Sequence, residues 1–341
     1  MVISGPRCIR ERKRLEMRER KYQVIQKFHE KEGWEIRWMC QVLKVSRAAY
    51  YKWLRRKPSE RDKENEELTH AIQTIHKGNN GLFGYRKMTM VLNRNGREKR
   101  VNDKRVRRLM RLAGLSSEYR RKSRKTWKKS TPEATAENVL NRNFKAEKPN
   151  QKWCTDITEV AVPGSSEKLY ISTIFDLYDR YPVAYEISSR NDTKLVNDTL
   201  RKALDNNPGG CEIFHSDRGF QYTRRAFNEM LGEHDIQQSM SRVSRCIDNG
   251  PMEGFQGQLK DICVVLYPGV KTAAEIKGAL YKTFDYYINE YPQKRFKGKT
   301  AGEVRKAALE EGIVEDYPIQ KNPEVMRFWE KIESKKALRA L

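Results

Sequence analysis

Residues 145–268 predict a mixed α/β domain on a five-stranded sheet, and the residues before them predict all-α helix-turn-helix domains. Two observations carry this. From about residue 145 the apolar spacing changes from a helical period to short alternating runs bounded by Pro and Gly. The charge divides in nearly the same place: residues 1–130 hold 38 Lys and Arg against 14 Asp and Glu, whereas 131–341 hold 31 of each. The whole excess of +24 thus lies in the first part, which points to a polyanion held there and another task for the neutral part. At 341 residues several cores can form, and the expected domains are five. They are an N-terminal helical segment with a helix-turn-helix (1–60), a second helical DNA-binding domain (61–118), a basic linker (119–144), the sheet domain (145–268) and a C-terminal helical extension (269–341).

Residues 9–37 are charged and helical in pattern, with sparse apolar positions at Ile9, Leu15, Val24, Ile25 and Phe28 and no lasting heptad. "WMCQVLKVSRAAYYKWLRR", Trp38 to Arg56, is helix-turn-helix shaped: an apolar helix ends near Leu43, Lys44-Val45 connect, and Ser46 caps a helix over 47–56. That helix offers Arg47, Tyr51 and Arg55 or Arg56 to a groove or to phosphates, although an ordinary helical hairpin has the same pattern.

A second helical unit spans Phe83 to Leu115. Asn95-Gly96 break it, Asn102 or Asp103 caps its last helix and Gly114 ends it. Val106, Leu109, Met110 and Ala113 form the apolar stripe, and Arg105, Arg107, Arg108 and Arg111 lie off it with no acid among them, which favours phosphate contacts. "RRKSRKTWKK", Arg120 to Lys129, has seven basic residues in ten; Arg121 and Lys125 suit a DNA backbone and Trp127 a stacked base.

The sheet domain reads as strands Trp153–Val162, Lys168–Phe175 and Tyr181–Ile187, a helix Asp192–Leu204, a strand Glu212–Phe214, a helix Thr223–Leu231 and a strand Ile236–Met240. The chain is helical from there on. Six cysteines without C-x-x-C spacing suggest reduced cytosolic thiols, and His70 and His76 lack the cysteine pair of a zinc finger. The charged N-terminus and the lack of an apolar run of about 18 residues argue against a signal peptide and a membrane span.

Three acids fall at informative places. Asp156 lies in the first strand, Asp217 in the turn after the fourth, and Glu253 in the first turn of a helix opened by Asn249-Gly250-Pro251. Phe255, Leu259 and Ile262 give that helix its core stripe; Glu253 points off it and shares a face with Lys260, seven residues on. Carboxylates brought together repel unless a cation neutralises them. Mg²⁺ takes hard oxygen ligands, and two such ions about 3.5–4 Å apart support in-line displacement at phosphorus without an enzyme nucleophile. Asp176, Asp179, Asp192 and Asp248 are rivals for the cluster, with Asp248 read first as a cap.

The segments "NRNF", "WCTDIT", "YISTIFDLYDR", "HSDRGFQY", "SMSRVSRCIDNGPMEGFQGQLK" and "YINEYPQKRFKGKTAGE" resemble, in order, those of bacterial insertion-sequence transposases of the insertion-sequence-three family. The upstream "SRAAYYKWL" and the segment 84–115 match that family's DNA-binding region, so the resemblance covers about residues 38–305. The 35 residues between Asp217 and Glu253 equal the interval of the family's Asp-Asp-Glu signature, and Lys260 stands where the family carries Lys or Arg.

The resemblance implies an RNase H-like, retroviral-integrase-like core in which Asp156, Asp217 and Glu253 are catalytic and hold two Mg²⁺ ions, with Mn²⁺ able to substitute. It implies cleavage at the element's terminal inverted repeats, transfer to target DNA through a circular intermediate, and Lys260 beside the cleaved phosphate. Trp153 and His215 would support and position. At least a homodimer on paired ends and a bacterial, cytoplasmic, nucleoid-associated location follow as further expectations. The chain departs from the family at "GPMEGFQ", where Ala-x-x-Glu-Ser-Phe-Phe is usual, and at Gln293-Lys294-Arg295, where Arg-Pro-His is usual. A metal-dependent nuclease without joining activity, and a DNA-binding regulator or inactive remnant, are the competing readings.

Overall fold

The structure is a computed structural model and describes residues 6–55, 59–94, 99–118, 136–242 and 246–317. Two compact units divide the chain, residues 1–68 and 69–341.

In the first unit α1 (Pro6–Glu32), α2 (Ile36–Val42) and α3 (Arg47–Leu54) bury one small core of Tyr22, Ile25, Met39, Cys40 and Tyr50. Tyr22 and Ile25 are three residues apart and so share a face of α1. The α2–α3 connection turns through Lys44 in the left-handed region (φ 51°), and Lys21 Nζ donates to Leu43 O at 2.8 Å to hold it.

The unit boundary falls within α4 (Glu60–Gly78), and α5 (Tyr85–Arg94) and α6 (Asp103–Leu112) follow in the second unit. Asn102 caps α6, its Oδ1 accepting from Arg105 N at 2.8 Å. Val106, Leu109 and Met110 are buried, as their spacing requires. Gly114 (φ 68°) ends the helix and lets Leu115 N reach Met110 O at 2.8 Å.

The sheet runs β3-β2-β1-β4-β5. β1 (Lys152–Ala161), β2 (Lys168–Asp176) and β3 (Pro182–Ser188) form an antiparallel meander, and β4 (Ile213–Ser216) and β5 (Gln237–Met240) run parallel to β1. Alternation sends successive side chains to opposite faces. Trp153, Ile174 and Phe214 meet α7 (Thr193–Asn206) and α8 (Arg225–Gly232) through Leu200, Phe227 and Leu231. The neighbouring Phe175 and Tyr185 face the other way, stacking on Phe255 of α9 (Gly250–Leu266) at 4.4 Å and on Phe284 of α10 (Ala273–Asn289) at 3.6 Å. The three-layer α/β architecture follows from these two apolar faces.

Capping boxes at Thr272–Glu275 and Thr300–Glu303 start α10 and α11 (Ala301–Leu309). The last turns of α10 and the residues after it pack on the α4–α5 region: Tyr286 Oη donates to Asn79 Oδ1 at 2.6 Å, and Lys87 Nζ lies 3.3 Å from the Tyr291 ring centre while donating to Pro292 O at 3.1 Å. This burial pushes the Lys87 ammonium down to about 7.

Candidate active site

β1 and β4 are adjacent and parallel, in a register that pairs Cys154 with His215. Two residues further along each strand direction come Asp156 and Asp217, so both carboxylates fall on one face of the sheet, side by side across a spacing of about 4.8 Å. β4 ends at Ser216, and Asp217 is the first residue of the turn. The turn clasps it: Gly219 N donates to Asp217 Oδ1 at 2.8 Å. A side chain at 219 would place its Cβ 2.9 Å from that same oxygen. A side chain here would push the Asp217 carboxylate out of this position. Asp156 is held similarly, its Oδ1 accepting from Ile157 N at 2.8 Å.

Burial, then the charge of Asp217 and more weakly that of Glu253, raises the Asp156 carboxyl well above the usual carboxylate range. Burial raises Asp217 as well. Their repulsion is mutual, and the proton it retains belongs to the pair. No salt bridge to Asp156 or Asp217 occurs among the described residues.

The third acid arrives on α9. Asn249, ahead of its first turn, donates from Nδ2 to Thr155 O at 2.9 Å, and Lys260 donates from Nζ to Glu159 O at 3.0 Å. Both ends of this stretch are therefore tied to β1, and Glu253 lies between the ties. The face shared by Glu253 and Lys260 runs along β1, where the helical wheel alone places it away from the core. Among the described residues, no three His, Cys, Asp or Glu side chains are gathered tightly enough to ligate one ion together.

The loop before α9 is fixed by Asp248, which is fully buried. It accepts from Arg142 Nε at 2.7 Å, from Arg242 Nε at 2.9 Å and Nη2 at 3.0 Å, and from Asn138 Nδ2 at 3.0 Å. Although burial favours the neutral acid, these bonds hold the carboxyl well below its ordinary range. Asp248 is thus an ion-pair anchor, and the cap position of α9 belongs to Asn249. His215 bridges Ser239 and Ser241 at 2.9 and 3.1 Å, and burial lowers its imidazole to about 4. Trp153 is buried, its Nε1 donating to Asn150 Oδ1 at 3.2 Å.

The other rivals have partners too. Asp192 caps α7 by accepting from Leu195 N at 3.0 Å. Asp176 and Asp179 are bound by Arg305 Nη1 at 3.3 and 2.9 Å. That arginine, 126 residues beyond Asp179, has no signal in the sequence that pairs it with these acids.

A family model of an integrase core domain matches residues 146–246, and one of an HTH-like domain matches 63–123. The chain is 35% identical over 268 residues to the InsK protein of insertion sequence element IS150 of Escherichia coli, covering 78% of this chain and 92% of that one. It is 32% identical over 237 residues to the transposase for insertion sequence element IS904 of Lactococcus lactis, covering 69% and 92%. The chain belongs to the insertion-sequence transposases. A solved HTLV-2 integrase catalytic core domain in complex with magnesium, at 16% identity and TM-score 0.38, covers 46% of this transposase and 97% of its own chain.

The transposase's HTH-like match falls on the second helical segment. There Arg107 and Arg111 of α6 are exposed and Arg105 and Arg108 half-buried, with Arg107 over the Tyr85 ring at 5.5 Å. In the first unit Arg47, Tyr51 and Arg55 recur every four residues along α3 and just past its end; both arginines are exposed, whereas Tyr51 packs on the Tyr50 ring. Arg121, Lys125 and Trp127 lie outside the described residues.

Sequence reasoning missed the Arg142–Asp248–Arg242 clamp and the burial of Gln256, which lies on α9 at the border between its apolar face and the face of Glu253 and Lys260.

Proposed function

We propose that this transposase binds the terminal inverted repeats of its element and cuts and joins DNA strands with Asp156, Asp217 and Glu253 as the catalytic acids. The observation that carries the reading is the side-by-side pair Asp156–Asp217, which repels internally and has no basic partner among the described residues, with Glu253 near it on α9.

Such a donor set fits a divalent cation. Its oxygens are hard, no salt bridge to either Asp occurs among the described residues, and each Asp has one oxygen anchored by a backbone N–H. Asp156, Asp217 and Glu253 would hold Mg²⁺, or Mn²⁺ in its place, as two ions. Bound there, the cations supply positive charge that activates the attacking oxygen and stabilises the leaving one.

The protein's part is placement. The register of β1 and β4 sets the spacing of the two aspartates, and the ties at Thr155 and Glu159 set the height of Glu253 above them. Lys260 releases Glu159 O to meet DNA near the cleaved phosphate. Arg47, Tyr51, Arg55, Arg105, Arg108, Arg111, Arg121, Lys125 and Trp127 hold the ends and the flanking backbone. Two ends joined in one reaction call for at least a dimer.

Wild type, Asp217→Asn and Glu253→Gln are to be incubated with end DNA and Mg²⁺ or Mn²⁺. Wild type cuts and joins, the variants bind DNA but do neither, and binding weakens steeply with salt. Variants as active as wild type would overturn the assignment; cleavage that is never followed by joining would favour a nuclease.

A further inference from the structure

Asn249, Glu253, Gln256 and Lys260 recur at intervals of four, three and four, which makes one polar stripe along α9. Its ends are the two ties to β1, at Thr155 O and Glu159 O. The two inner members therefore lie over the part of β1 that begins at Asp156. Gln256 is only 7% exposed, and its Nε2 is buried with no hydrogen-bond partner among the described residues. An amide nitrogen in that state is costly, and an apolar side chain of the same volume would avoid the cost. The Gln256 side chain lies against the Asp156 carboxyl and favours its ionised form, yet Nε2 is not aligned on an acceptor.

We infer that Gln256 is a positioning residue for the acidic site, donating from Nε2 to one oxygen of Asp156 and so fixing the rotamer in which the other oxygen faces Asp217 and Glu253. The inference rests on the reading of these acids as the cation site. An amide suits the role because it orients a carboxylate without a positive charge, whereas a lysine would neutralise the anion and compete with the cation. Where the family usually carries an apolar ring, this chain carries a donor, which makes the contact a property of this transposase.

The test uses full-length protein on end DNA. Gln256→Met keeps the volume and removes the donor; Gln256→Asn keeps the amide but withdraws it by one methylene. With either, DNA affinity stays at the wild-type value, and without cation the Met variant melts no earlier than wild type. The Mg²⁺ concentration for half-maximal thermal stabilisation rises about tenfold, as for other partners that orient a metal ligand, and the Mg²⁺ midpoint for cleavage rises with it. Wild-type midpoints in the Met variant overturn the inference. If the Met variant melts early without cation, a wild-type midpoint in the Asn variant overturns it instead. Failure of the underlying reading looks different: wild type shows no cation-dependent stabilisation and Asp156→Asn cleaves normally.

Discussion

Asp176 and Asp179 sit at the end of β2 and in the turn after it, beside Arg305, while Asp156 and Asp217 sit on β1 and just past β4 with no basic partner among the described residues, so one sheet holds two acidic pairs in different states. In the first pair every carboxylate oxygen is bound. Asp176 accepts from Tyr178 N at 2.8 Å and Asn150 N at 2.6 Å, Asp179 accepts from Tyr181 N at 2.9 Å, and Arg305 bridges both. Arg305 is itself held by Asn150 Oδ1 and Asn207 Oδ1 at 2.7 and 2.9 Å. In the second pair each aspartate takes one backbone N–H. Burial raises the carboxyls of both pairs, so a raised proton affinity does not tell them apart. The basic partner does: Arg305 serves the first pair, and among the described residues no basic side chain forms a salt bridge with the second.

The comparison is broken most directly by exchanging losses. Asp156→Asn should cut strand cleavage by roughly three orders of magnitude, since it removes charge-stabilising machinery. Its melting temperature without cation should equal or exceed that of wild type, because one repelling charge is gone. Arg305→Met should do the reverse, lowering stability by about 3–5 kcal/mol, the cost of leaving a buried charge uncompensated. Urea midpoints read the second and end-labelled DNA the first. A stable Arg305→Met protein would mean that Asp176 and Asp179 are no more a structural pair than Asp156 and Asp217.

A smaller effect concerns a buried cation that lacks an acid. Burial lowers Lys87 to about 7, so between that value and the unfolded value of about 10.4 the unfolded chain binds more protons. Stability should therefore rise with pH across this window through Lys87, and Lys87→Met should flatten the rise in thermal melts from pH 7 to 10. An unchanged slope would show that Lys87 keeps its proton beside Tyr291. The smallest effect is expected at Gly254, where an added Cβ meets nothing within 4 Å. Gly254→Ala should stabilise α9 by up to about 1 kcal/mol, read as a raised melting temperature.

Much of the fold was legible. The strand from Lys168 begins where its pattern began, and β1, β3 and β5 lie within one residue of their expected limits at each end, because alternation and turn residues are local signals. The α2–α3 turn at Lys44 and the ends of α6 at Asn102 and Gly114 were legible for the same reason. The exceptions are instructive. Asp248 had the sequence of a cap and became a buried anchor, because its arginine partners include Arg142, 106 residues earlier. The Glu253–Lys260 face was correctly read as shared, but a helical wheel has no β1 in it, so its backing by Thr155 and Glu159 was invisible.

By itself the sequence determined which elements form, where the positive charge concentrates and which acids stand at strand ends and helix starts, since each of these is set by neighbours within a few residues. Only the tertiary structure decided which acids meet. The parallel register of β1 with β4 and the course of α9 along β1 are fixed by packing between residues some sixty to a hundred positions apart. The same packing gave Asp176 and Asp179 an arginine, and gave Asp156 a second aspartate and a glutamine.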